Sequence, residues 1–317
     1  MTGFLVQNSY PLGVFLITFL CSALLTPLSF YLGKKLKLID YPSTRKHHII
    51  PIPRSGGLLL FPVIAIISLF LIGTGNKELI GILLGGTVFW LTGILDDRFT
   101  FRARYKFSGQ LIGALILVLS GVLIKGVNTP WGYVTLDGVK YLLTILWIVG
   151  MSNALNFIDG LDGLAGGVVI ISSIAFYVLA QGRGLTEVSL LSLVIAGAVG
   201  GFLLYNFPRA KIILGDSGSI TLGYLLGAVS VWGALKRTTI SVLVVYAIVL
   251  AIPLFDMVFA IIRRKVKGIP ISQPDKGHIH HRLLDLGLTP TQTVVILYCV
   301  SIVFALIAVY LGGKQFG

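Results

Sequence analysis

The chain has 317 residues, 56% of them hydrophobic and 12% charged, with a mean hydropathy of +0.94. A soluble domain carries about twice that charged share, so composition excludes an ordinary soluble enzyme and points to a polytopic membrane protein, one domain over residues 1–317. The net charge of +13 raises nucleic acid as a partner, but the positions of the basic residues exclude it, because they gather in loops between apolar runs.

The first charged residue is Lys34. With no basic leader before it, the first apolar segment is expected to stay as an uncleaved span. A helix needs about 20 apolar residues to cross the hydrocarbon core. Such runs fall near 11–32, 56–73, 79–95, 107–124, 140–157, 164–181, 186–205, 218–235, 239–262 and 292–312. The expected fold is therefore all-α and integral to the membrane, with about ten transmembrane helices. Loops after the odd-numbered spans hold 18 of the 25 Lys and Arg residues. The positive-inside bias puts those loops in the cytoplasm and both termini outside. All five His fall on that same face, and so do nine of the 12 acids, Asp256 lying slightly inside it.

In chain order, the first loop reads DYPSTRKHHIIPIPRSGG (40–57), a turn-forming basic stretch at headgroup level that a stop-transfer flank would also explain. The third span ends in GILDDRF, where Asp96 and Asp97 are adjacent. Neighbouring carboxylates resist joint ionisation unless a cation or hydrogen bonds neutralise them. Arg98, Arg102, Arg104 and Lys106 follow, so either a metal and phosphate site or an ordinary ion-paired helix end fits. The outer loop VNTPWGYVTLDG (127–138) alternates polar and apolar residues, which suits a short β-hairpin anchored by Trp131 and Tyr133.

The stretch NALNFIDGLDGLAGG (153–167) carries Asn153, Asn156, Asp159 and Asp162 at intervals of three. On a continuing helix they share one side. Two amides and two carboxylates at the end of an apolar helix are costly in lipid, which marks a phosphate- and metal-handling site at a membrane face. GDSGS (215–219) opens the eighth span. Its serines or Asp216 suit a helix cap; the same geometry offers free N–H groups to an anion, and Asp216 offers a hard oxygen to Mg²⁺. HIHHR (278–282) lacks the Cys or the His spacing of a zinc site, so hydrogen bonding to phosphoryl oxygens is expected of it. Asp256 is expected to pair with basic neighbours. Cys21 and Cys299 sit in apolar segments and suit packing.

These stretches, in this order, resemble the polyprenyl-phosphate N-acetylhexosamine-1-phosphate transferases over nearly the whole chain. HIHHR and the first loop are similar to the branch that uses UDP-N-acetylglucosamine, which starts O-antigen, enterobacterial common antigen or wall teichoic acid linkage. The resemblance implies that Asp216 ligates Mg²⁺, with Mn²⁺ as a substitute. Asp96 and Asp97 lie beside the lipid phosphate and the metal, Asp97 as a second ligand. It places Asn156, Asp159 and Asp162 around the nucleotide-sugar, Asn153 in the same series, and Asn206 near uridine. His278, His280 and His281 face the diphosphate, assisted by Arg282, while Arg45 and Arg54 hold the anionic reactants. The position four residues after Asp96, acidic in many members, is Thr100.

The implied reaction moves N-acetylglucosamine 1-phosphate from UDP-N-acetylglucosamine to undecaprenyl phosphate, releasing UMP, at the cytoplasmic face of the cell membrane. Its implied partners are those two substrates, membrane lipid and a second copy in a homodimer. Phospho-MurNAc-pentapeptide translocase, or a sibling using another UDP-sugar, is the alternative within the enzyme class. A secondary transporter is the alternative outside it, but that predicts ionisable groups at the bilayer midplane and helices broken in repeated halves. Here the charges lie at helix ends on one face.

Overall fold

The structure, a computed structural model, describes residues 2–41, 51–129, 132–235, 240–268 and 277–314. Helix α1 (Thr2–Lys35) leads into a short antiparallel pair, β1 (Ile39–Asp40) with β2 (Ile52–Pro53). Helices α2 (Gly56–Ile72), α3 (Lys77–Phe99) and α4 (Ala103–Leu119) follow. A hairpin of β3 (Gly126–Thr129) and β4 (Gly132–Thr135) joins α4 to α5 (Lys140–Ile158), with Gly126 opposite Thr135 and Thr129 opposite Gly132. Then come α6 (Leu164–Gln181), α7 (Thr186–Asn206), α8 (Gly215–Leu235), α9 (Ile240–Val249), α10 (Ala251–Val266), the short α11 (Ile279–Asp285) and α12 (Pro290–Lys314).

Among the described residues six helices, α1, α3, α5, α6, α7 and α12, are long and apolar enough to cross a membrane, so the chain is a multi-pass membrane protein. Their sequences are apolar all round because one side packs on protein and the other meets hydrocarbon. Helix α7 is the centre, with 78% of its apolar window buried, and packs on α1 and α6. Helix α8 lies beside it and packs on α3 and α5. In α1 and α12 only 28% of the window is buried, and side chains such as Leu24 and Leu306 point outward.

The apolar run 239–262, expected as one span, is two helices, α9 and α10, that meet at Leu250. Pro253 has no N–H to give the Val249 carbonyl, so the hydrogen-bond ladder breaks there. Small residues set how closely the central helices approach. A methyl group on Gly57 of α2 would lie 2.1 Å from the backbone nitrogen of Gly218 in α8. That contact brings the loop holding Arg54 against the start of α8. The ends of α3 and α5, the starts of α2, α4 and α8, and α11 all meet at one end of the bundle. The hairpin joins the opposite ends of α4 and α5.

Candidate active site

The site is assembled from helix ends, and its anchor is Asp97 in the last turn of α3. The Asp97 side chain is fully buried. Its Oδ1 accepts the backbone N–H of Asp216 at 2.8 Å and its Oδ2 accepts that of Ser217 at 2.9 Å. A carboxylate from one helix thereby satisfies two of the orphan donors at the start of another, at the positive end of its dipole. Arg54 completes the join: its Nε lies 3.0 Å from Asp97 Oδ1, and its Nη2 donates to Asp216 Oδ1 at 2.6 Å. Burial opposes charge on this guanidinium, but Asp216 and Asp97 outweigh it and hold its pKa above the ordinary value.

The second cation comes from the first turn of α4. Lys106 Nζ donates to Asp216 Oδ2, lies 3.3 Å from Asn156 Oδ1 and 3.5 Å from Asp96 Oδ2. Asn156 in turn donates through Nδ2 to Asp216 Oδ1 at 3.1 Å and Ser219 Oγ at 2.8 Å. Asp96 accepts the Phe101 N–H at 2.6 Å, just past the left-handed Thr100 that caps α3. Three oxygens from α3, α5 and α8 thus converge on one positive nitrogen. Such hard oxygens suit Mg²⁺, which takes one or two carboxylates and fills its remaining positions with water and substrate phosphate. Among the described residues no cluster of three or more acid, His or Cys side chains stands at metal-ligand spacing.

The turn between α5 and α6 forms the next wall. Asp159 caps α5 and has no hydrogen-bond partner among the described residues. Burial pushes its carboxyl up to about 7; Arg54 opposes that shift, and Asp216, Asp97 and Asp162 add to it. Asp162 is exposed and accepts the Ala210 N–H at 2.9 Å. Asn206 is buried, with Oδ1 accepting from Gly163 N at 2.9 Å and Nδ2 donating to Ile212 O at 2.8 Å. Tyr298 of α12 donates to Gly163 O at 2.5 Å. These bonds fasten the turn to the 207–214 loop and to α12.

Helix α11 docks on that turn. Asp256 accepts the Ile279 N–H at 2.8 Å and lies 2.7 Å from His278 Nδ1. The His278 ring packs on Phe157, over which Arg264 also lies. His280 is buried against Gly160, where an added methyl would stand 2.4 Å from its Nε2, and its ring centroid is 4.2 Å from that of His281. Arg282 is exposed.

Comparison with known proteins adds a family to this geometry. Residues 79–234 match glycosyl transferase family 4. The chain is 39% identical over 300 residues to a probable undecaprenyl-phosphate N-acetylglucosaminyl 1-phosphate transferase of Bacillus subtilis, covering 94% of this chain and 84% of that protein. The chain belongs to glycosyl transferase family 4. Two further relatives have different substrates in their names. A decaprenyl-phosphate N-acetylglucosaminephosphotransferase of Mycobacterium tuberculosis is 36% identical over 301 residues, with 84% of this chain and 74% of that protein covered. A phospho-N-acetylmuramoyl-pentapeptide-transferase of Halalkalibacterium halodurans is 31% identical over 276 residues, with 82% and 83% covered.

Within this glycosyl transferase family 4 chain, the structure brings Asp96, Asp97, Arg54, Asn156 and Asp216 into one polar cluster, beside Asp159 and the His helix. Four expected site groups already have partners within the chain. Asp97, expected to ligate metal, has both oxygens engaged by α8 and Arg54 and no exposed side-chain surface. The first α8 amides, expected to meet an anion, are occupied by that carboxylate. Asn153 forms a reciprocal amide pair with buried Gln110, one turn back from Asn156. Asn206, expected near uridine, has its amide oxygen and nitrogen bonded to the chain itself. Arg45 lies outside the described residues, as do His47 and His48. The sequence marks Lys106 only as one of four basic residues after Asp96-Asp97; the structure selects it over Arg104, which shares the first turn of α4. No motif marks Gln110 or Tyr298, and Ser219, expected as a helix cap in GDSGS, instead accepts from Asn156.

Proposed function

We propose that the chain transfers N-acetylglucosamine 1-phosphate from UDP-N-acetylglucosamine to undecaprenyl phosphate, releasing UMP, at the cytoplasmic face of the cell membrane. The observation that carries this reading is the meeting of Asp96, Asp97 and Asp216 with Arg54 and Lys106 at one set of helix ends. Phosphoryl transfer needs that mixture, because cations must offset charge on the transferring group while acids position them. The extended match to the Bacillus subtilis relative supports the sugar and the lipid. The excess of Lys and Arg in the loops on this side supports the cytoplasmic orientation, with ten spans and both termini outside.

The acceptor is a phosphate monoester whose second pKa is near 6, so it is mostly dianionic at neutral pH and a strong base is unnecessary. One of its oxygens attacks the sugar-bearing phosphorus of the donor. The bond from that phosphorus to UMP breaks, and UMP leaves with the electron pair. Arg54 and Lys106 offset the charge of the two reactants, and Asp97 keeps Arg54 and the α8 start in register for them. The imidazoles of α11, fixed by Asp256 and the Gly160 turn, complete the diphosphate side. Bound Mg²⁺, or Mn²⁺ in its place, would be held by Asp216 and Asp96 with Asn156 and would supply further charge compensation. Single displacement is favoured over a covalent Asp97 intermediate, since both Asp97 oxygens already accept hydrogen bonds.

The test is direct. Purified protein with Mg²⁺, undecaprenyl phosphate and a panel of UDP-sugars should release UMP with UDP-N-acetylglucosamine. Release only with UDP-MurNAc-pentapeptide would move the chain to the branch of the Halalkalibacterium halodurans relative. No release with any donor would end the reading. A labelled sugar-phosphate on protein, formed without acceptor, would overturn single displacement.

A further inference from the structure

We infer that the Lys106 ammonium is a resident counter-cation: it holds the oxygen cradle of Asp216, Asp96 and Asn156 together before a divalent ion binds, and leaves that cradle when one does. The inference deepens the proposed function and rests on its divalent-ion requirement.

The cradle is drawn from three helices, which Asp97 and the Asn156 Nδ2 bonds to Asp216 and Ser219 also tie together, and Lys106 is the group that touches all three oxygens. Asp216 Oδ2 comes from the start of α8, Asn156 Oδ1 from the end of α5 at 3.3 Å, and Asp96 Oδ2 from the end of α3 at 3.5 Å. An ammonium has three donors and no acceptor, so it can serve three oxygens at once. Those oxygens are also the donor type that a hard divalent cation takes. Lysine and metal therefore compete for one place, because two positive charges sharing Asp216 Oδ2 would repel strongly at low dielectric.

Arg54 is not the group that yields. Its fork is fixed on two carboxylates, Asp97 Oδ1 at 3.0 Å and Asp216 Oδ1 at 2.6 Å, and Asp97 is itself pinned by two backbone bonds. Lys106 holds its charge at the tip of a flexible four-carbon stem and is 17% exposed, so it has a route out of the cradle. Three carboxylates, Asp96, Asp97 and Asp216, face two cations here. Removing the lysine without a replacement leaves two negative charges uncompensated in a largely buried cluster. A divalent ion restores that balance and frees one ammonium for an incoming phosphate oxygen. Metal and anionic substrate would then each favour binding of the other.

The experiment compares Mn²⁺ binding by the intact protein and by Lys106→Met in detergent, followed by electron paramagnetic resonance, together with thermal unfolding with and without Mn²⁺. Removing the competitor should tighten Mn²⁺ binding by about tenfold or more. The metal-free variant should unfold at lower temperature than the parent, and Mn²⁺ should close the gap. Equal or weaker binding by Lys106→Met overturns the inference alone. No Mn²⁺ binding by either protein overturns it together with the divalent requirement of the proposed function. The parent protein gives a second measurement that does not depend on the variant's metal-free folding. After reductive ¹³C-dimethylation, which keeps the lysine charge, the Lys106 resonance should move on Mg²⁺ saturation. An unmoved resonance, assigned by its absence from Lys106→Met prepared with metal, overturns the inference.

Discussion

Replacing Asp97 with Asn asks whether this residue fastens α8 or takes part in bond making. An asparagine keeps one acceptor oxygen and turns an NH₂ group toward either Asp216 N or Ser217 N, which are 2.8 and 2.9 Å from the carboxylate oxygens. One backbone donor then loses its partner at a fully buried position, which costs about 1–3 kcal/mol, and the Arg54 contact loses its charge assistance, a further 1.5–3 kcal/mol or so. The total, roughly 2.5–6 kcal/mol, brackets what breaking one side of a buried pair usually costs. If that loss falls on the first turn of α8, hydrogen exchange of a peptide covering 215–219 should speed up by about two to four orders of magnitude. Activity should fall with it. Asp216→Asn is the comparator: it loses charged contacts to Arg54 and Lys106, but its own N–H still bonds to Asp97, so activity should vanish while exchange at 215–219 speeds up less than in Asp97→Asn. Lost activity in Asp97→Asn with unchanged exchange would refute the clamp and return Asp97 to the chemistry.

Gly57→Ala places a methyl 2.1 Å from Gly218 N, which should destabilise the protein by about 1–3 kcal/mol through overpacking. Gly75→Ala, where nothing lies within 4 Å, should stay within about 0.5 kcal/mol, and equal unfolding temperatures for the two variants would count against the tight α2–α8 contact. Arg54→Lys keeps the charge but cannot span Asp97 and Asp216 together, so kcat/KM should drop by roughly 10- to 100-fold, the worth of one charged hydrogen bond; parent-like activity would show that the fork is dispensable. Asp159 gives a pH signature. With its pKa raised by burial from 3.8 to about 7, the folded protein keeps a proton there that the unfolded chain releases near pH 4. The residue therefore lowers stability increasingly as pH rises from about 4 to 7. Asp159→Asn should match the parent's unfolding temperature at pH 4 and exceed it at pH 8. In the parent, kcat/KM should carry an ascending limb near pH 7 that the variant lacks.

Much of this was legible in the sequence, for a reason that particular residues show. Apolar runs of spanning length read directly as helices, since lipid requires every backbone polar group to be satisfied within the segment. The break at Leu250 was not read, because Pro253 sits inside a run that hydropathy alone treats as continuous. The polar stretches were equally visible: a carboxylate or amide at the edge of an apolar segment stands out against its surroundings, as Asp96, Asn156 and Asp216 do. What the pattern could not give was the partner of each group. Asn153 and Asn156 look alike in sequence, three residues apart, yet one faces Gln110 on α4 and the other faces Asp216. Lys106 was one of four basic residues after Asp96-Asp97, and only the packing of α4 on α3 and α5 selects it. Tyr298 lies in an apolar helix with no motif near it, and its bond to Gly163 depends on how α12 crosses α6.

The most consequential of these differences concerns how phosphate is held. A helix start with GDSGS would ordinarily present its N–H groups and positive dipole to an anion. Here Asp97 already occupies that place, bonded to the Asp216 and Ser217 amides. The dipole is spent on joining α3 to α8, so it is unavailable to a reactant. Apart from a bound divalent ion, positive charge for the substrates must then come from side chains, and among the described residues of the cluster Arg54 and Lys106 supply it. Arg54 is committed to two acids. The lysine, attached by a flexible stem, is left as the cation able to follow a phosphate, which is why its placement matters more to the chemistry than the glycine- and serine-rich turn beside it.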